Sequence, residues 1–101
     1  MSVPLNATTA TDHILGTTID YHIDASAEIS RVEPGAEITA VTWNALTGIT
    51  AAAATPEIDG AVVRRRISGG TAGARHTLVA TLTLSSGEII MVRGLLRVVA
   101  R

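Results

Sequence analysis

A chain of 101 residues with nine acidic and eight basic side chains, a formal net charge of −1 and no cysteine has room for one domain around one core. These values exclude a disulfide framework and thiol chemistry, and they argue against a protein whose main task is to grip phosphates. With no phenylalanine, one tryptophan and one tyrosine, valine, isoleucine, leucine and alanine must build the interior.

The first dozen residues are small and polar, with Pro4 among them, and residues 1–16 read as a flexible N-terminal arm. They lack the basic start and apolar run of a signal peptide, and no stretch approaches the roughly 20 apolar residues of a membrane helix. From Thr17 the pattern alternates: Ile19, Tyr21 and Ile23 share one face, and Thr18, Asp20, His22 and Asp24 the other. That is a strand with one face buried. The segment from Ala25 to Glu37 is looser, and Pro34-Gly35 marks a turn. Ile38 to Leu46 is the next strand, with Val41 and Trp43 on one face. A short strand over Ile49 to Ala53 follows, then a turn ending at Asp59-Gly60, then β-like residues from Ala61 to Ile67. His76, Leu78, Ala80, Leu82 and Leu84 alternate with threonines and Val79. Ser86-Gly87 turns this strand into Glu88 to Val99, and the pair reads as a hairpin. Short strands between turn signals predict an all-β, antiparallel, immunoglobulin-like sandwich over residues 17–101.

The last strand is apolar on both sides. Ile90, Val92, Leu96 and Val98 lie on one face, while Ile89, Met91, Leu95 and Val99 lie on the other. A strand with one wet face does not look like this. Either both faces are covered within the domain, or a partner covers the second. Ile89, Met91, Leu95 and Val99 are therefore candidate protein-interface residues.

Other motifs point less clearly to chemistry. Ser68 to Gly73 is glycine-rich, but a strand follows it where phosphate loops start a helix, and the chain has no lysine; it reads as a turn. Arg64-Arg65-Arg66 could meet nucleic acid, yet in a strand Arg64 and Arg66 point one way and Arg65 the other. No aromatic side chains stand between them for base stacking. A solvated face, an edge guarded by charge or salt bridges to a protein neighbour fits better, and the three arginines join the interface candidates. His22 with Asp20 and Asp24 could weakly hold a divalent ion, but a wet sheet face explains the same pattern. Neither a nucleophile elbow nor a marked carboxylate pair is visible. The residues predict no enzyme, no cofactor, no metal and no membrane contact.

Order and spacing carry one more signal. The chain resembles small bacteriophage virion proteins of the fiber-tail adaptor type. The resemblance runs through Tyr21-His-Ile-Asp24-Ala25 followed by Ile29, Glu37-Ile38 leading to Trp43, and Gly48-Ile49-Thr50. It is strongest over Ser68 to Gly73, His76, and the alternating strand closed by Ser85-Ser86-Gly87, and it extends from Thr17 to Arg101. Ala25 stands where the family often has tryptophan, His76 where it often has tyrosine, and Glu88 to Gly94 is greasier than usual. The resemblance implies a non-catalytic structural subunit of the virion, assembled in the host cytoplasm at the tail, neck or fiber attachment. Such subunits would form a homo-oligomeric ring touching other tail, neck or fiber proteins. It makes Ser68 to Gly73 a loop between two strands. A capsid decoration protein and a carbohydrate- or ligand-binding module are the alternatives.

Overall fold

The computed structural model describes residues 2–100. Met1, the first residue of the expected arm, and Arg101, the last of the expected domain, lie outside the described residues. Eight strands and one short helix follow in order: β1 (Val3–Pro4), β2 (Thr11–Ile14), β3 (Thr18–Asp24), α1 (Ser26–Val32), β4 (Ile38–Trp43), β5 (Thr50–Asp59), β6 (Val62–Ser68), β7 (Arg75–Leu84) and β8 (Ile89–Val99). They form two four-stranded sheets, β1-β3-β6-β5 and β2-β8-β7-β4, in a sandwich-like arrangement.

Period-two alternation places the core between the sheets. Tyr21, Ile23, Val63 and Ile67 from one sheet meet Leu78, Ala80, Leu82, Leu84, Val92, Leu96 and Val98 from the other, all buried. Without phenylalanine the interior consists of two aliphatic clusters, and Leu5 and Trp43 pack against both. The hairpin of β7 and β8 keeps an unbroken antiparallel register from Arg75↔Arg97 to Thr83↔Ile89.

Four expectations need correction. The sheets are not purely antiparallel, because β1 runs parallel to β3 and β2 parallel to β8. Both pairs come from the segment read as a free arm, which instead supplies an edge strand to each sheet. Side chains account for this: Leu5 enters the core, His13 Nδ1 lies 2.7 Å from the buried Tyr21 hydroxyl, and Asp12 meets Arg97 at 2.7 Å. The looser segment after β3 contains a helix, started where Ser26 N donates to Asp24 Oδ1 and anchored by buried Ala25 and Ile29. Finally, Thr50 to Asp59 is one strand with a register irregularity between Ala53 and Ile58, not a strand and a turn. Pro56 falls in that irregular stretch, where a missing N–H breaks no ladder bond.

One glycine makes the closure of the sandwich possible. Gly94 is buried on β8, and a Cβ there would sit 2.4 Å from Leu5 Cβ. Leu5 can cross from sheet to sheet only because that methyl is missing.

Candidate interaction faces

Each sheet turns one face outward, and the two differ in chemistry. On the β1-β3-β6-β5 sheet, register sets Asp20 beside Arg66 and His22 beside Arg64. Arg66 Nε donates to Asp20 Oδ1 at 2.7 Å, and Arg64 Nη2 lies 3.6 Å from Asp20 Oδ2. The hydrogen bond from Arg66, with the charges of both arginines, holds the Asp20 carboxyl below the usual carboxylate range. His22 Nδ1 lies 2.6 Å from Ser2 Oγ, and Asp24 Oδ1 accepts from Ser26 N at 2.9 Å just before α1. The three polar groups considered as a weak ion site thus each have a protein partner.

Arg65 faces the other way. It is only 9% exposed, its Nη2 donates to the Asn44 carbonyl at 2.9 Å, and its guanidinium carbon lies 5.2 Å from the Trp43 ring centroid. It therefore ties β6 to the segment after β4 across the sandwich, a cation–π contact supported by a hydrogen bond. Burial lowers its pKa, partly offset by the charge of Glu57. The strand carrying the arginines lies inside its sheet, between β3 and β5, so it guards no edge. The alternation was legible in the sequence; Asn44 as a partner was not.

The Ser68 to Gly73 loop carries the chain from β6 in one sheet to β7 in the other. Gly70 has φ +103°, and a Cβ there would meet Val98 Cγ2 at 2.9 Å, so the loop lies tight on β8. The Gly73 amide donates to the Val98 carbonyl, which aims it at the sheet and away from any phosphate.

The outer face of the β2-β8-β7-β4 sheet is different. Ile89 and Met91 are 66% and 61% exposed, Leu95 and Val99 are half-buried, and Ile14 and Leu15 add exposed apolar surface near Val99. Thr77, Val79, Thr81 and Thr83 stand opposite on β7. Three arginines, Arg75, Arg93 and Arg97, share this face with one aspartate, Asp12, which takes Arg97. Arg75 and Arg93 have no ion pair among the described residues. The interface candidates of the last strand are thus brought together on one surface, while Arg64 and Arg66 lie on the opposite surface and Arg65 lies between the sheets.

The recesses on the described surface are open to solvent, among them one of about 350 Å³ beside Asp20 and Arg66. No curated protein and no solved structure matches the chain. A family model does, that of the podophage GP4 fiber-tail adaptor protein gp77, over residues 15–97. That match covers most of the chain, from the end of β2 nearly to the end of β8, and on it the chain belongs to the podophage fiber-tail adaptor family.

Proposed function

We infer that this chain is a non-catalytic structural adaptor of a phage tail, a virion component that works by binding other tail or fiber proteins. The family match over residues 15–97 carries this reading. The contact surface would be the outer face of the β2-β8-β7-β4 sheet, through Ile89, Met91, Leu95 and Val99. An apolar strip rimmed by threonines and unpaired arginines suits an acidic-rimmed protein partner better than it suits water. Arg64 and Arg66, already occupied by Asp20, would lie away from it.

Several copies in a ring would multiply weak contacts through effective concentration. A ring requires two different surfaces on each copy, one meeting the other on the next. An immunoglobulin-like description of the domain is supported by strand order, since one outer pair flanks two central antiparallel strands in each sheet; the parallel β1 and β2 are the departures.

Particle imaging tests the proposal. Density for this chain between the tail and its fibers is expected. Its location on the capsid surface alone would favour a decoration protein instead, and its absence from purified particles would overturn the adaptor reading.

A further inference from the structure

The strand β8 is long, and its companion β2 is short. Register pairs β2 only with Leu96 to Val99, and a single bridge joins Asn6 to Leu95. Backbone hydrogen bonds fix which way the chain points along β8. Leu95 N donates to Asn6 O and Leu15 N to Val99 O, whereas Val98 N donates to Ala74 O at the head of β7. Odd-numbered residues therefore aim N–H and C=O away from β7, and even-numbered ones toward it. Along the uninterrupted register, Ile89, Met91 and Arg93 present backbone donors and acceptors to an edge with no partner strand among the described residues.

Proteins usually blunt such an edge with proline, a bulge or inward charge. None of these occurs over Ile89 to Arg93. Beside the edge lies an open groove of about 340 Å³, lined by Leu5, Ile23, Ala27, Met91 and Val92 together with the charged Asp24, Glu28 and Arg93. Its apolar floor can receive the inward side chains of an added strand. On the outer side Ile89 and Met91 are the most exposed large apolar residues, and Arg93 has no ion pair among the described residues.

We propose that the edge of β8 over Ile89 to Arg93 takes an extended segment of a different polypeptide as an added strand. The segment would be about five residues long, with apolar residues alternating and a carboxylate placed against Arg93. A second copy of this chain fits poorly. Two-fold pairing of β8 about Met91 would set Ile89 against Arg93 and leave both arginines without a carboxylate. The other edges are also ill-suited, since β4 is irregular between Ile38 and Ala40, β5 between Ala53 and Ile58, and β1 has two residues. The proposal deepens the adaptor reading by stating the form of the partner, but its chemistry rests on this edge alone.

The probe is a synthetic peptide, acetyl-Thr-Val-Thr-Val-Glu-Val-Thr-amide, added at millimolar concentration to the full chain. Amide hydrogen exchange at Ile89, Met91 and Arg93 is expected to be fast in the free protein and to slow at least tenfold with peptide. Met91→Pro removes only the outward N–H, which an edge strand tolerates, so the fold should survive while protection of Ile89 and Arg93 is lost. Met91→Thr keeps the N–H and should retain binding. Unchanged exchange in wild type, full binding by Met91→Pro, or concentration-dependent dimers that protect these same amides would each overturn the proposal. None of those results bears on where the chain sits in the particle, so failure here and failure of the adaptor reading stay distinguishable.

Discussion

On one side of the sandwich, Asp20 accepts from Arg66 and stands within ion-pair reach of Arg64, and His22 meets Ser2, all within the chain. On the other, Ile89 and Met91 stand in solvent while Arg75 and Arg93 lack ion pairs among the described residues. Both faces come from alternating strands in four-stranded sheets, so fold alone does not explain the difference. A face that closes its own charges contributes to the folded chain and has little left to offer a neighbour. A face that leaves apolar area and cations open contributes little to the isolated domain and gains when covered.

Six substitutions would break or sharpen that contrast. The largest effect belongs to neither face but to the seam that holds them together. Gly94→Val would drive side-chain atoms into Leu5, and overpacking of this kind should cost about 3 kcal/mol. Denaturant unfolding should show it, together with faster exchange at Leu95, whose amide bonds to Asn6. Next comes Arg65→Ala, expected to cost about 2 kcal/mol because the Asn44 carbonyl loses a buried donor. Arg66→Ala, on the half-exposed arginine, should lower the melting temperature far less. Equal effects would mean that the arginine strand is not divided between inside and outside.

Asp20→Ala should cost about 1 kcal/mol, the scale of a largely solvent-screened ion pair, and leave assembly intact. Acid probes the same pair. The Asp20 pKa is depressed in the fold, so its contribution is present above the ordinary value of 3.8 and is lost as pH falls through the lowered one. His13, whose pKa burial pushes below 6.5, acts earlier. Its unfolded form binds a proton first, so stability begins to fall below 6.5 and continues down to the depressed value. A melting-temperature profile should therefore drop in two stages, and Asp20→Asn should shrink only the more acidic one, to which Asp24, also depressed by its hydrogen bonds from Ser26, still contributes. The smallest effect on folding is expected for Met91→Ser, within about 0.5 kcal/mol, yet that variant should incorporate poorly into particles. Reversed outcomes, with Met91→Ser unfolding the chain and Asp20→Ala blocking incorporation, would swap the roles of the faces.

Much of this architecture was legible because alternation is local. Ile19-Tyr21-Ile23 and Leu78-Ala80-Leu82-Leu84 announce both strand and buried face, and Ser86-Gly87 announces the hairpin. The N-terminal segment announces nothing: its docking depends on a slot at Gly94 and a hydroxyl at Tyr21, both remote in sequence. The helix had a weak signal in Ala25, Ile29 and Val32, spaced four and then three apart behind Asp24, but seven residues are too few for periodicity to stand out. The two-sided apolar pattern of the last strand marked the right surface. Which half of it lies bare depends on how far β2 reaches, and that length is set by the turn at Asn6, whose Oδ1 accepts from Thr8 N.

The slot that receives Leu5 also orders events in time. It is made by Gly94, near the end of the chain, so it does not exist while the ribosome is still translating the strands before it. β1 can lie against β3 before that, but Leu5 has no seat until the β7–β8 hairpin has closed. Only then can the two sheets be fastened through Leu5, so the seam follows the hairpin in time.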